Sequence, residues 1–306
     1  MPSTHLRREN SSMKPATAVV TAHRQYQVYT EFYACPGARK TIILINGSLA
    51  TTASFAQTLK YLQPQFNVVL YDQPYAGQSK PHNSHQQPLR KEDEAEILLE
   101  LIELFAADYL LSFSWGGACA LLALTQAPAR IEKAIISSFT PRLNAPMLDY
   151  LEQGRRFLHN LDRENIGQLV NSTMGKYLPS LFKRHNHRHI SSLAEHEYRQ
   201  MHAHIEHLLS HDDHCDTRSL ASIEIPVLFV NGEHDVYTSP ADARLFAEHV
   251  PDCQFSTLHN TGHFLDMEHK GAWLQAQQAL LGFLQSVPNS QRQDRQKWPE
   301  TVAIAV

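Results

Sequence analysis

Leu110-Leu-Ser-Phe-Ser-Trp-Gly-Gly117, continued by the Ala/Leu-rich stretch 118–124, passes from apolar to small residues and back to apolar within a few positions. That pattern predicts a buried strand, a very tight turn and a helix. A serine at such a turn, here Ser114, is lifted clear of the sheet edge with backbone N–H groups beside it. The pattern is the nucleophile elbow, usually written G-x-S-x-G. Ser112 stands where the first glycine is usual, and it is small enough for the place. Gly116 and Gly117 allow the helix to approach closely. An ordinary glycine-rich strand–helix turn looks similar, so the elbow takes its meaning from the rest of the chain.

An acyl-transfer serine needs a base within hydrogen-bond reach and an acid that orients the base. In α/β-hydrolases these follow the serine in the order Asp/Glu, then His. Ile225-Pro-Val-Leu-Phe-Val230 reads as a buried strand, and it leads into Asn231-Gly-Glu-His-Asp-Val-Tyr237. Asp235 lies just past that strand, where the acid belongs, and Glu233 is a weaker candidate. Cys253-Gln-Phe-Ser-Thr-Leu258 is a further strand, followed by Asn260-Thr-Gly-His-Phe-Leu-Asp266. His263, after a glycine and before the last helical pattern, is the candidate base. Asp266 comes after the histidine and is out of order as the acid. His234 precedes any strand that could return it to Ser114. Chain order and strand context select Ser114, Asp235 and His263 from a chain holding 19 histidines.

An oxyanion hole on this plan takes one N–H from the residue after the nucleophile, Trp115, and another from the loop after an early strand. Thr41-Ile-Ile-Leu-Ile45 is that strand and Asn46-Gly47-Ser48-Leu49 the loop. Ser48 and Leu49 are both candidates for the second donor. Asp72-Gln-Pro-Tyr-Ala-Gly-Gln-Ser79, after the strand Phe66–Tyr71, reads as a structural turn.

The remaining pattern extends this plan. Apolar runs at Thr41–Ile45, Phe66–Tyr71, Tyr109–Phe113, Ala134–Ser138, Pro226–Val230 and Gln254–Leu258 alternate with helical patterns near Phe55–Leu62, Glu94–Leu104, Gly116–Thr125, Ala241–His249 and Lys270–Leu284. Such alternation predicts an α/β fold with a mostly parallel, doubly wound sheet, the α/β-hydrolase fold. Ala18–Tyr33 reads as antiparallel entry strands. Between about Pro141 and Ser222 the alternation stops and only helical patterns remain. The expected organisation is therefore an N-terminal extension over 1–15 without structure, a core over 16–140 and 223–285, a helical cap over 141–222, and a polar tail over 286–306. Met147, Leu148, Tyr150, Leu151, Phe157, Leu158, Met174, Tyr177, Leu178, Leu181 and Phe182 are the candidate lining of an apolar pocket beneath the cap.

A 306-residue chain with 42% hydrophobic residues can bury a large core. A net charge of −4 argues against a nucleic-acid-binding surface. Cys35, Cys119, Cys215 and Cys253 form no paired spacing, which suits a reduced, cytoplasmic setting. No apolar run reaches membrane-spanning length, and the N-terminus lacks the apolar stretch of a secretory signal.

Five stretches carry a resemblance to a known family: 41–57, Gln65–Tyr75, Ser112–Gly117, Gly175–Arg184 and Gly262–Glu268. They resemble the PhaG family of (R)-3-hydroxyacyl-ACP:CoA transacylases, also described as 3-hydroxyacyl-ACP thioesterases, over about Gln25 to Leu284. The related RhlA group, which makes 3-(3-hydroxyalkanoyloxy)alkanoic acids, shares the Asn-Gly loop, the Ser-Trp-Gly-Gly elbow and the Gly-His-Phe-Leu-Asp end. The resemblance implies acyl transfer from medium-chain (R)-3-hydroxyacyl-ACP to CoA, supplying polyhydroxyalkanoate precursors. Acyl carrier protein and CoA would be the partners, CoA a co-substrate, and no cofactor would be bound. CoA, water or a second hydroxyacyl group as acceptor would all use the same triad.

The basic segment Lys183-Arg-His-Asn-His-Arg-His189, with Lys176 nearby, is the candidate docking surface for acidic carrier or CoA phosphates, through Lys176, Lys183, Arg184 and Arg188. The family has also been discussed around an H-x4-D motif, which here would be His207 and Asp212. That pair would duplicate the work of His263, and such a spacing arises readily by chance. His204, His207, His211 and His214 share one helix face, which reads as a solvated polar face rather than a metal site.

Overall fold

The computed structural model describes residues 14–23, 25–210 and 219–286. Its centre is an eight-stranded sheet in the order β1-β2-β4-β3-β5-β6-β7-β8. β1 (Ala16–Ala22) and β2 (Tyr26–Tyr33) are antiparallel, and β2 joins the sheet antiparallel to β4 (Asn67–Tyr71). From β4 onward the sheet is parallel: β3 (Thr41–Ile45), β5 (Tyr109–Phe113), β6 (Lys133–Ser137), β7 (Val227–Gly232) and β8 (Cys253–Leu258).

The inner parallel strands read as nearly continuous apolar runs because both of their faces are covered, whereas β8, at the sheet edge, is only partly buried. β3 is buried at every position. Its Ile43 and Ile45 join a core packed by α2 (Lys91–Leu104) and α3 (Gly116–Leu124). Its Ile42 and Leu44 join a second core, packed by α1 (Ala56–Leu62) and α9 (Lys270–Gln285). α2 begins three residues earlier than its apolar pattern, because the Asp93 side chain accepts from the Arg90 N–H and closes the first turn. The helix expected over Ala241–His249 is instead a short α8 (Pro240–Ala243) followed by a 3-10 turn, Arg244–Glu248. That tighter path sets Phe246 against Phe229, with ring centroids 4.2 Å apart.

β3 is flanked by β4 on one side and β5 on the other, so successive crossovers leave it in opposite directions. Such a switch point opens a crevice at the carboxyl ends of the strands, where ligands of open α/β sheets bind. The loop after β3 and the turn after β5 both end there.

Among the described residues four α-helices occupy the interval between β6 and β7: α4 (Ala145–His159), α5 (Arg163–Ser172), α6 (Ser180–Ser192) and α7 (Glu195–Leu209). Asn144 caps α4 by accepting from Met147 N, and Asp162 caps α5 by accepting from Asn165 N. α4 buries Met147, Leu151, Gly154 and Leu158, one face at helical spacing. These helices share a third apolar cluster, against which Leu49, Trp115 and Tyr237 pack from the loops of the sheet. They are called the cap below.

Candidate active site

β5 ends at Phe113 and α3 begins at Gly116, which leaves two residues for the reversal. Ser114 makes it at φ +51°, a left-handed conformation that costs a non-glycine residue on the order of 1–3 kcal/mol. Two hydrogen bonds hold it there, Ser114 N to Ser137 O and Gly117 N to Ser114 O, both 2.8 Å. A Cβ on Gly116 would lie 2.5 Å from Asn46 O, and one on Gly117 would lie 2.6 Å from the Phe139 ring. Both glycines are therefore required for the approach of α3. Ser112 fits completely buried in the position usual for a third glycine.

The loop after β8 brings His263 to the turn. His263 Nε2 is 2.9 Å from Ser114 Oγ, and Nδ1 is 2.7 Å from Asp235 Oδ2. Asp235 Oδ2 also accepts from Thr238 Oγ1 at 2.5 Å, and Oδ1 accepts from the N–H groups of Tyr237 and Thr238. Burial pushes the Asp235 carboxyl up, but the His263 ring and the hydrogen bonds from His263 and Thr238 outweigh it and leave it below its ordinary value. The structure thus brings Ser114, His263 and Asp235 into one hydrogen-bonded line.

The other acidic candidates are engaged by other partners, although Asp266 lines the same cavity as Ser114. Glu233 is exposed and accepts from Asn260 N. His234 is exposed. Asp266 Oδ2 accepts from Thr58 Oγ1 and Tyr61 OH at 2.7 and 2.8 Å, tying α1 to the loop before α9. Asp72 accepts from Thr52 N and Gln78 N, as a structural turn should. Sequence reasoning missed Glu268, whose carboxylate accepts from Gly262 N at 2.7 Å and Phe264 N at 3.1 Å, bracketing His263. No spacing rule marks a carboxylate five residues after a base, so the sequence offered no signal for it.

Gly47 runs beside the nucleophile, since a Cβ there would lie 3.2 Å from both Ser114 Cβ and Phe113 O. Gly47, Ser48, Leu49 and Trp115 line the same cavity as Ser114 and His263. Both candidate loop donors, Ser48 and Leu49, thus lie on the cavity wall beside the nucleophile.

The cavity has a volume of about 570 Å³, within the ~300–1,000 Å³ typical of sites for small ligands. It extends from Ser114 into the cap. Of the expected lining, Met147, Tyr150, Leu151, Leu158, Met174, Leu178 and Phe182 do line it. Leu148, Phe157, Tyr177 and Leu181 do not. Leu148, Tyr177 and Leu181 are exposed, and Phe157, partly buried, packs against the cap cluster. Gly154, Ile166, Val170, Met201 and Ile205 line it as well.

The reading of α7 as carrying a solvated histidine face needs correction. His207 is exposed, but His204 is buried, with Nε2 2.8 Å from Gln200 Nε2 and 3.0 Å from Leu89 O. Burial, with Lys91 nearby, holds its pKa well below the ordinary value, so it is a neutral bridge between cap and core. His211, Asp212 and His214 lie outside the described residues. Among the described residues no three His, Cys, Asp or Glu side chains gather as a metal site. The basic candidates on α6 separate: Arg184 and Arg188 are exposed, whereas Lys183 Nζ donates to Lys176 O at 2.7 Å. Lys176 Nζ lies 5.4 Å from the Tyr177 ring centroid. Arg188 also reaches the cavity lining.

Comparison with known proteins adds to this geometry. A family profile described as alpha/beta hydrolase fold matches residues 40–270. A protein of Pseudomonas aeruginosa named (R)-3-hydroxydecanoyl-ACP:CoA transacylase is 60% identical over 89% of this chain and 91% of its own length. A protein of the same name from Pseudomonas putida is 56% identical over 92% of this chain and 95% of its own length. Among solved structures, a hydrolase from Pseudomonas aeruginosa superposes with a TM-score of 0.70 at 19% identity, covering 92% of this chain and all of the other. At that identity the superposition speaks for the fold alone. No helix among the described residues is long and apolar enough to cross a membrane.

Proposed function

This chain belongs to the α/β-hydrolase family, and on that footing we propose that it transfers medium-chain (R)-3-hydroxyacyl groups from acyl carrier protein to CoA through an acyl-Ser114 intermediate. The observation that carries the reading is the Ser114–His263–Asp235 line opening onto an apolar cavity that reaches into the cap. In the first half-reaction His263 Nε2 takes the Ser114 proton as Oγ bonds to the thioester carbonyl carbon. The resulting oxyanion accepts from Trp115 N–H and from Ser48 or Leu49 N–H. The carbon–sulfur bond then breaks, and the carrier's pantetheine thiol leaves with the proton from His263. In the second half-reaction the CoA thiol gives its proton to His263 and its sulfur bonds to the acyl-serine carbonyl carbon; the carbon–oxygen bond to Ser114 then breaks, Ser114 Oγ takes the proton back from His263, and acyl-CoA leaves. A dry cavity favours the thiol over water. Such chemistry needs no bound cofactor, and a reduced cytoplasm suits the CoA thiol that enters and the carrier thiol that leaves.

The relatives' names supply the probe, a 3-hydroxydecanoyl group. Purified protein incubated with 3-hydroxydecanoyl-ACP, with and without CoA, is expected to give acyl-CoA only when CoA is present, by mass spectrometry. Free acid independent of CoA would make it a thioesterase, and hydroxyacyloxy-acid dimers would favour an RhlA-like synthase.

Two further outcomes are expected. Gly154 lines the cavity where α4 meets α5 and α7, and an added Cβ there would meet Ile205 Cδ1 at 3.6 Å, an ordinary contact. Gly154→Ala is therefore tolerated. Gly154→Leu adds three more carbons in the path of the chain and should shift the preferred acyl group shorter by at least two carbons. A chain-length profile unchanged in Gly154→Leu would place the acyl chain elsewhere.

For docking, Arg184 and Arg188 carry the reading best, with Lys176 and Lys183 flanking them. Arg184→Glu with Arg188→Glu should raise the apparent KM for acyl-ACP by about tenfold at low salt and flatten its salt dependence. An unchanged KM at low ionic strength rejects this surface.

A further inference from the structure

The loop beside the nucleophile is fastened to the sheet at both feet and to the cap in its middle. At the first foot Asn46 Nδ2 donates to Tyr71 O at 3.0 Å, and Ser54 Oγ donates to Asn46 Oδ1 at 2.8 Å. At the second, Thr52 N donates to Asp72 Oδ1 at 2.8 Å and Thr52 Oγ1 to Glu31 Oε1 at 3.1 Å. Between the feet Leu49 stands at φ +56°, a left-handed conformation unfavourable to a branched side chain. Something must hold it there. The Leu49 side chain packs against the cap cluster, and the Leu49 carbonyl lies 2.7 Å from His189 Nε2 on α6.

A carbonyl oxygen only accepts, so Nε2 of His189 carries the proton in this contact. The bond fixes the peptide plane that follows Leu49. Through the Leu49 torsions it also orients the Leu49 N–H group. His189 half-buries its ring in the lining of the same cavity as Ser114. It shares one helix face, at i, i+3, i+4 and i+7, with His185, Arg188 and Ser192, which also line that cavity.

We propose that His189 is a positioning residue. Its hydrogen bond to the Leu49 carbonyl holds the 46–49 loop in its donor geometry, so the oxyanion hole is complete only while α6 of the cap is seated. The inference rests on the acyl-Ser114 reading above. Donors preorganised for an oxyanion act on charge that exists only in the transition state, and small misplacement of such donors is costly. Loss of His189 should therefore weaken transition-state binding and leave ground-state binding of the acyl chain nearly intact.

Two ligands separate these effects. A difluoromethylene ketone analogue of 3-hydroxydecanoyl-pantetheine, with CF2 in place of the thioester sulfur, captures Ser114 as a hemiketal whose oxyanion fills the hole. The matching thioether lacks the electrophilic carbon and reports only chain and pantetheine binding. In His189→Phe the ketone is expected to bind at least 30-fold more weakly and the thioether less than threefold. Turnover kcat should fall 30- to 100-fold, with the KM for acyl-ACP within threefold. His189→Gln restores a donor on a side chain of similar reach and should recover most of the ketone affinity. Equal weakening of both ligands, or no weakening of the ketone, overturns the proposal. A raised KM with kcat unchanged does so too, since it assigns His189 to docking. If the wild-type protein forms no hemiketal by 19F NMR, the acyl-serine reading fails and takes this inference with it. Hemiketal formation equal in wild type and His189→Phe removes this inference alone.

Discussion

Ser114→Ala is expected to lower kcat for acyl transfer by about 10⁴-fold or more while the protein remains folded. The substitution removes one oxygen atom. The hydrogen bonds that hold the turn use the Ser114 backbone, N to Ser137 O and O from Gly117 N, and alanine keeps both. The strain at φ +51° is common to serine and alanine, so little stability is at stake. What goes is the nucleophile, and with it the acyl-serine on which both base steps of His263 depend. Residual rate would come from the oxyanion donors and substrate positioning alone. Thermal unfolding within a few degrees of wild type, with turnover of 3-hydroxydecanoyl-ACP near background, is the expected pair of results. Retention of more than a few per cent of wild-type kcat would sink the covalent mechanism.

How far such a site can be seen in sequence depends on whether its determinants are local. The elbow is legible because a strand, one strained residue and a helix N-terminus are consecutive, and each leaves its own mark: apolar run, small residues, glycines. Asp235 and His263 are legible by a weaker rule. Each follows a strand, and parallel strands end on the same side of a sheet, so chain order carries spatial information. The switch point between β3 and β5 is not written in any one segment, yet it is what opens the crevice. The burial of His204 was illegible for the same reason. Its partner Leu89 O is 115 residues away, and a row of histidines on a helix looks like a wet face until the neighbouring element is known. Leu148 shows the limit within one helix. It adjoins Met147, but a step of 100° turns it off the face shared by Leu151, Gly154 and Leu158 and out to solvent. Gly154, which does line the cavity, gives no apolar signal at all. The oxyanion loop is legible as a position, Asn46 to Leu49, but its attachment to His189 joins residues 140 apart.

Asp235→Asn is expected to reduce kcat by roughly 10³- to 10⁴-fold, and Asp266→Asn by less than tenfold. The difference lies in what each carboxylate must accept. Asp235 receives four donors: two backbone N–H groups on Oδ1, and His263 Nδ1 and Thr238 Oγ1 on Oδ2. An asparagine has one acceptor oxygen. The two backbone donors cannot turn away, so the amide oxygen is drawn to the Oδ1 position and the NH2 group faces His263. The Thr238 hydroxyl can rotate to accept from that NH2, but Nδ1 can then only accept as well. The ring proton moves to Nε2, which is aimed at Ser114 Oγ at 2.9 Å, and a protonated Nε2 cannot take the serine proton. The triad keeps its shape and loses its base. The wild-type carboxylate avoids this because its pKa lies below the ordinary value, so it remains charged and acceptor-only throughout the neutral range. Asp266 meets no such demand. Its two side-chain donors, Thr58 Oγ1 and Tyr61 OH, converge on Oδ2, where a single amide oxygen can receive them. Burial already pushes its carboxyl up, so a neutral amide is not foreign to that site. Steady-state rates of both variants with 3-hydroxydecanoyl-ACP and CoA decide the matter. If Asp266→Asn proves the more damaging of two folded proteins, Asp235 is not the acid of the triad.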